Sequence, residues 1–360
     1  MKILHVITSL STGGAEKLMV DLLPLLRDKG CEVELAVFNG DETPFFKQLF
    51  ERGIIIHRFT KHGGNVYNPL NILKLRRTIM KGKYDIIHTH NTAPQLFAAI
   101  CKNKNFKLVT TEHGGSNRRR SWKWYRKIDR KMYERYDRII CIAKKAEENL
   151  RNYIGNTKVR ILTINNGVEI SKYAKAQAST ELEFIAPGSR KLMMVAGFRW
   201  EKDQDTIIRS LKYLPDRFHL FLVGDGIRRG ELIELCKNEN VEERVHFLGI
   251  RSDVPQLLHA ADFIVMSSHF EGLSLSSVEG MSVGRPFIAS DVDGLREVVK
   301  GAGILFPHED AKVLASEILR LDCDPKEYKR ISDNCYRQAN KFDISSMVED
   351  YMKVYEELMK

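Results

Sequence analysis

Two carboxylates stand eight positions apart in residues 270–286, F-E-G-L-S-L-S-S-V-E-G-M-S-V-G-R-P: Glu271 and Glu279. An apolar run over 263–266 precedes them, and Ser267, Ser268 and His269 make a polar exit from it. Small and apolar residues fill the interval and read as the start of a buried helix, which Gly284 and Pro286 end. A strand that turns into a helix presents unpaired amides, and these favour phosphate oxygens. Gly272 lets a backbone approach closely. A carboxylate on each side can accept hydrogen bonds from vicinal hydroxyls. The arrangement suits a sugar joined to a diphosphate. A second reading needs no ligand: Ser276 and Glu279 have the spacing of a capping box, and Glu279 then closes its own helix.

Two cations sit in a similar place. The run 192–196 reads as a strand, and Gly197-Phe198-Arg199-Trp200-Glu201-Lys202-Asp203 follows it. Arg199 and Lys202 could offset the charge of a departing diphosphate. An exposed polar turn is the alternative.

The elements that must position these residues alternate. Runs 3–8, 32–38, 54–56, 85–89, 108–112 and 138–142 read as strands, and 15–29, 70–81, 94–101, 122–135 and 144–153 as helices. A last strand of this half spans 159–162. In the second half 192–196, 218–223, 245–249, 263–266 and 287–289 read as strands. Helices are expected from 204 and over 254–261, 311–321 and 345–359. Such alternation implies an α/β fold with doubly wound parallel sheets, whose ligands sit beyond the carboxyl ends of the strands.

The residues after each strand therefore matter. Ser9-Leu10-Ser11-Thr12-Gly13-Gly14 follows the first, and glycine there permits close approach to a ligand or simply a tight turn. His88 and His90 share one face of the fourth, with no third metal ligand evident nearby, so at least one reads as a structural histidine. His113 ends the fifth and is followed by Gly114 and Gly115, a position suited to a cleft or to solvent. Gly224-Asp225-Gly226 lacks the remaining spacing of a dinucleotide fingerprint. Ile250 and Arg251 follow the strand at 245–249.

A chain of 360 residues suggests two domains. Periodicity fades over 172–190, which reads as an interdomain linker, and the expected domains are 1–171 and 172–344. The stripe Met347, Tyr351, Val354, Tyr355 and Leu358 suits a final helix, 345–360, that either rejoins the first domain or packs on its own. No apolar run approaches a membrane span, and the apolar start is too short for a signal peptide and reads as a first strand. Six scattered cysteines argue against a zinc site or disulfide framework and fit a reducing cytosol.

Charge is uneven. Residues 1–172 hold 32 Lys and Arg against 16 Asp and Glu; the remainder holds 25 against 31. The most basic segment interleaves Arg118, Arg119, Arg120, Lys123, Arg126 and Lys127 with Trp122 and Trp124. That composition suits an anionic bilayer surface, a single-stranded nucleic acid, or a solvated helix with its aromatics turned inward.

The glutamate pair resembles the E-x7-E motif of the family 4 retaining glycosyltransferases, which have the GT-B fold, and further motifs match in order along nearly the whole chain. The resemblance implies two Rossmann-like domains facing across a cleft. It implies transfer of a sugar from a nucleotide-diphosphate donor, a UDP-sugar favoured over a GDP-sugar, to a glycan or lipid-linked acceptor, with retained anomeric configuration. By that resemblance Glu271, His113, Lys202 and Arg199 are catalytic. Gly14, Gly197, Gly224, Gly226, Ile250, Arg251, Gly272, Leu273, Ser274, Leu275 and Glu279 bind the donor, with Glu271 on the sugar and Glu279 on the ribose. The 118–127 segment meets the acceptor or a membrane. One departure stands: the family's arginine follows the first glycine of the 197–203 turn directly or takes its place, and here that neighbourhood reads Gly197-Phe198.

No metal or other cofactor is expected, nor a nucleic-acid partner, and the expected location is the cytoplasm, at the inner face of the cell membrane. A role in cell-surface polysaccharide or glycolipid synthesis follows. Two rivals remain open here: a non-hydrolysing nucleotide-sugar epimerase of the same architecture, and a basic nucleic-acid-binding protein.

Overall fold

The computed structural model describes residues 1–11, 13–113, 125–272 and 274–360. The chain divides into two compact units, 1–166 with 344–360, and 167–343.

The first unit runs β1 (Lys2–Ile7), α1 (Gly14–Asp28), β2 (Glu32–Asn39), α2 (Pro44–Glu51), β3 (Ile55–Thr60), α3 (Leu70–Gly82), β4 (Ile86–His90), α4 (Thr92–Cys101), β5 (Lys107–Glu112), α5 (Tyr125–Tyr133), β6 (Arg138–Cys141), α6 (Lys144–Ile154) and β7 (Arg160–Thr163). Its seven strands are parallel in the order β3-β2-β1-β4-β5-β6-β7. The sheet is covered on both faces, so its central strands β1, β2, β4, β5 and β6 are buried at nearly every position. Alternate residues feed two cores: Ile3, Leu35, Val109 and Ile140 on one face, Leu4, Ala36, Leu108 and Ile139 on the other.

The second unit runs α7 (Ile170–Ala174), β8 (Arg190–Val195), α8 (Gln204–Ser210), β9 (Phe218–Val223), α9 (Arg229–Asn238), β10 (Val245–Gly249), α10 (Val254–Ala260), β11 (Phe263–Met266), α11 (Leu275–Ser282), β12 (Phe287–Ser290), α12 (Leu295–Val299), β13 (Ile304–Phe306), α13 (Ala311–Cys323) and α14 (Pro325–Ala339). Its six parallel strands are ordered β10-β9-β8-β11-β12-β13. Both sheets thus reverse direction between their first and fourth strands, β1/β4 and β8/β11.

The last helix, α15 (Ile344–Met359), belongs to the first unit. Met347, Tyr351, Val354, Tyr355 and Leu358 are buried in its core. Tyr351 and Tyr355 are fully buried, and each ring contributes roughly 1.5–3 kcal/mol by burial. The Tyr355 hydroxyl lies 2.6 Å from His88 Nδ1 and the Tyr351 hydroxyl 3.2 Å from Thr111 Oγ1, so their polar ends are satisfied.

Residues 172–190 are not the linker that fading periodicity suggested. Tyr173, Leu182 and Ile185 lie in the second unit's core, and a 3-10 turn forms over Glu181–Phe184. A few well-spaced apolar residues anchor a stretch whose remaining composition is polar. The helices α2 and α14 were also missed, and both open on proline behind a capping side chain. Thr43 accepts from Phe46 N at 3.2 Å, and Asp324 accepts from Lys326 N and Glu327 N at 3.0 Å each. Among the described residues no helix is long and apolar enough to cross a membrane.

Candidate active site

The β8/β11 reversal brings two loops together at the carboxyl edge of the second sheet, where an open α/β sheet binds its ligand. The loop after β8 carries Lys202; the loop after β11 carries Glu271. Lys202 Nζ donates to Glu271 Oε1 at 2.5 Å, and Ser268 Oγ donates to the same oxygen at 2.8 Å. Ser268 is itself held, since its carbonyl accepts from Ser290 Oγ at 2.6 Å. Both contacts fall on Oε1, so Glu271 Oε2 has no hydrogen bond among the described residues. The Glu271 side chain is 10% exposed and that of Lys202 28%. A half-shielded pair of this kind is held in place yet reachable by a polar ligand.

The departure at Phe198 has a packing cause. Phe198 is fully buried and meets Phe247 edge-on at 5.9 Å between centroids. The next side chain, Arg199, is exposed and forms no ion pair among the described residues. Arg199 is thus the available guanidinium of this turn, because position 198 faces the core.

Glycines 224 and 226 have a structural reason to be glycine. A Cβ on Gly224 would lie 2.1 Å from Ala196 O, and one on Gly226 2.3 Å from Phe198 O. The two loops cross in backbone contact, which fixes the Gly197–Phe198 turn: Phe198 N donates to Asp225 O at 3.0 Å. Gly272 differs, since a Cβ there would meet nothing within 4 Å among the described residues. Gly14 is equally open, and it belongs to the first unit. Ile250 is 82% exposed. Arg251 is occupied by Asp253 at 2.7 Å and Glu181 at 2.5 Å, which leaves only its backbone for a ligand. Leu273 lies outside the described residues, as do Arg118, Arg119, Arg120, Trp122, Lys123 and Trp124. Arg126 and Lys127 are exposed on α5.

The capping-box reading of Glu279 fails. The residue before α11 is Ser274, so Ser276 lies inside the helix and Glu279 in its second turn. Among the described residues Ser274 makes no side-chain cap bond, and the buried Ser277 Oγ is without a partner. Glu279 and Leu275 are half-buried. The polar rim of α11's first turn is therefore unusually unsatisfied, and Ser277 carried no signal of this in the sequence.

In the first unit the β1/β4 reversal gathers histidines. His5 is the third imidazole that sequence spacing did not reveal; β1 pairs with β4 so that His5 lies beside His88. Ring nitrogens of His5, His88 and His90 all lie within 4.8 Å of one another. Hydrogen bonds account for all of these nitrogens but His5 Nε2, which is buried without a partner among the described residues. His5 Nδ1 is 3.0 Å from His90 Nε2, His90 Nδ1 is 2.9 Å from His113 Nε2, and His88 Nε2 is 2.8 Å from Thr111 Oγ1. His113 is thus tied into the sheet, not loose in solvent, and its Nδ1 is buried without a partner among the described residues.

Burial disfavours charge on all four rings. It pushes His5 down to about 3 and His113 to about 4, and holds His88 and His90 well below the ordinary value. Below about pH 6.5 the unfolded chain binds protons that the folded chain refuses, so acid favours unfolding. The contribution is complete above pH 6.5 and is lost as pH falls toward 4. Each ring costs about 1.4 kcal/mol per pH unit across that window. The urea midpoint should therefore fall steeply between pH 7 and pH 5. A midpoint that rises on acidification contradicts neutral burial of this cluster.

Known proteins agree in outline. Residues 12–172 match the family model described as Glycosyltransferase Family 4, and residues 179–338 match Glycosyl transferases group 1. The chain is 25% identical to the UDP-Gal:alpha-D-GlcNAc-diphosphoundecaprenol alpha-1,3-galactosyltransferase of Escherichia coli, covering 99% of this chain and 96% of that protein. It is 29% identical to the N,N'-diacetylbacillosaminyl-diphospho-undecaprenol alpha-1,3-N-acetylgalactosaminyltransferase of Campylobacter jejuni over 62% and 61% of the two chains. Among solved structures, Anabaena HepE in complex with UDP superposes with a TM-score of 0.85 at 22% identity, covering 99% of this chain and 100% of that one. Sucrose-phosphate synthase from Thermosynechococcus elongatus gives 0.79 at 19% identity, covering 100% and 99%.

Proposed function

The chain belongs to the family 4 glycosyltransferases of GT-B fold, and from that premise we propose that it moves a sugar, with retention, from a UDP-sugar to a lipid-linked glycan acceptor. The observation that carries this reading is the Lys202–Glu271 pair at the switch point of the second sheet. The relatives favour the finer terms: the E. coli and C. jejuni proteins are named for diphosphoundecaprenol acceptors, and HepE is in complex with UDP.

In this mechanism Glu271 Oε2 accepts from hydroxyls of the transferred sugar. Lys202 and Arg199 meet the diphosphate, and their charge together with the amides at the start of α11 stabilises it as it leaves. Glu279 holds the ribose. The leaving phosphate oxygen takes the acceptor's proton, so the step requires neither a side-chain nucleophile nor a metal ion. His113 donates to the sugar or phosphate. The test is transfer from a panel of UDP- and GDP-sugars to a polyprenyl-diphosphate sugar, with EDTA present throughout. Turnover in EDTA with an unchanged anomeric configuration is expected. Isomerisation of a donor without acceptor would replace transfer by epimerisation.

We also propose contact with an anionic membrane through α3. Residues 61–84 contain six Lys or Arg and no acid. Leu70, Leu73 and Met80 are 57%, 64% and 67% exposed on this helix. Arg76, Arg77 and Lys81 beside them are exposed and form no ion pair among the described residues. Exposed apolar side chains flanked by free cations suit the surface of a bilayer. Each cation contributes on the order of 1 kcal/mol there. Changing Arg76, Arg77 and Lys81 together to Ser should weaken partition onto phosphatidylglycerol vesicles by about tenfold to a hundredfold. An unchanged partition removes α3 from the reading.

A further inference from the structure

A second polar cluster occupies the same edge of the second sheet, and the transfer reading does not use it. Asp203 ends the loop after β8, His269 lies in the loop after β11, and His308 follows β13. One ligand atom from each of the three lies within 4.8 Å of the others. His269 Nδ1 is 2.7 Å from His308 Nε2, and Glu309 Oε1 is 3.5 Å from His269 Nδ1.

Asp203 and His269 are each held by further contacts. Asp203 is 2% exposed and caps α8, accepting from Thr206 Oγ1 at 2.6 Å and from Thr206 N at 3.3 Å. No Lys or Arg forms an ion pair with it among the described residues. A buried carboxylate without a cation lacks compensation. His269 is braced by the ring of Trp200 at 4.4 Å between centroids, and its amide donates to Glu201 O at 2.9 Å. His308 is exposed and gives solvent a way in.

We propose that Asp203, His269 and His308 form a binding site for a divalent transition metal ion of zinc type, with Glu309 or water as the fourth ligand. Two imidazoles and a carboxylate are a donor set that suits zinc or cobalt, not magnesium or calcium. Tetrahedral ligands at about 2.0–2.1 Å from an ion stand roughly 3.3 Å apart, so the two imidazoles open slightly as their hydrogen bond is replaced. Binding needs both rings neutral and strengthens as pH rises. The ion ties together three loops. One carries Lys202, next to Asp203, and another carries Glu271, two residues beyond His269. Its role is to fix or restrain these loops, not to take part in transfer. The site rests on this unit's geometry and does not depend on the identity of the donor.

The test is titration of the metal-stripped full chain with Co2+, reading the visible absorption of tetrahedral cobalt. Wild type should develop the band with one equivalent and lose it to Zn2+. His308→Ala should bind Co2+ at least tenfold more weakly, yet transfer sugar at the wild-type rate in EDTA. Zn2+ should raise the melting temperature of wild type and not of His308→Ala. No tetrahedral band, or a band unaltered by His308→Ala, overturns the site; the second outcome would move the ion to other ligands. Failure of transfer in wild type would leave the cobalt result intact, so the two readings fail separately.

Discussion

Glu271→Gln and Lys202→Ala should each lower kcat by about a hundredfold to a thousandfold while the chain stays folded, the range seen when one preorganised polar contact to a developing charge is removed. Glu271→Gln keeps the shape of the side chain and its bond from Ser268, but it removes the charge that holds Lys202. It also weakens acceptance from sugar hydroxyls, since an ionised acceptor bonds roughly twice as strongly as a neutral one. Lys202→Ala leaves Glu271 anchored by Ser268 and takes away a cation facing the diphosphate. Both side chains keep contact with solvent, so neither change leaves a fully buried charge stranded. Steady-state rates with melting curves on the same samples separate chemistry from folding. Wild-type turnover in either variant removes the site assignment.

Gly294→Ala should be the most damaging single methyl in the second unit. Gly294 has φ +84, and a Cβ there would lie 2.0 Å from Gly272 O and 2.4 Å from Glu271 O. Backbone atoms cannot swing aside as a flexible side chain can. A left-handed non-glycine residue costs about 1–3 kcal/mol, and overpacking adds a similar amount. The obstructed segment is the one that bears Glu271, so stability and transfer should fall together. Gly272→Ala is the informative contrast. It has open space for a Cβ, so its urea midpoint should stay close to wild type. If the donor's phosphates approach this backbone, KM for the donor rises. Equal stability losses in the two variants would contradict the geometry.

The alternation of strands and helices was readable from hydrophobic runs, and with it both parallel sheets. Boundaries shifted by a few residues, as at β3, which continues to Thr60 beyond the apolar Ile54–Ile56 run. The helix α14 escaped notice because few of its residues are apolar, and α2 because its apolar Phe45, Phe46, Leu49 and Phe50 fall within a short segment; their capping threonine, aspartate and prolines were the usable signal. The segment 172–190 misled for the opposite reason. Its polar composition hid Tyr173, Leu182 and Ile185, which the second core holds.

Contacts that depend on strand order were out of reach. His5 meets His88 and His90 only because β1 and β4 are neighbours, 85 positions apart in the case of His5 and His90. Asp203, His269 and His308 converge for the same reason, and so do Gly294 and the Glu271–Gly272 backbone. Lys202 and Glu271 could each be picked out by type and local spacing, but their contact across 69 positions could not. The Phe198 departure also required packing to explain it, since only the core shows why the guanidinium sits one place later.

The most direct measurement is calorimetric titration of the full chain with UDP, performed on wild type, Lys202→Ala and Glu271→Gln. UDP should bind wild type at one site. Lys202→Ala should weaken UDP by more than tenfold, because it removes a charge-assisted contact to the diphosphate. Glu271→Gln should leave UDP nearly unchanged and weaken a UDP-sugar, because its partner is the sugar ring. Absence of UDP binding, or equal affinity in wild type and Lys202→Ala, would contradict a donor site built on these two loops.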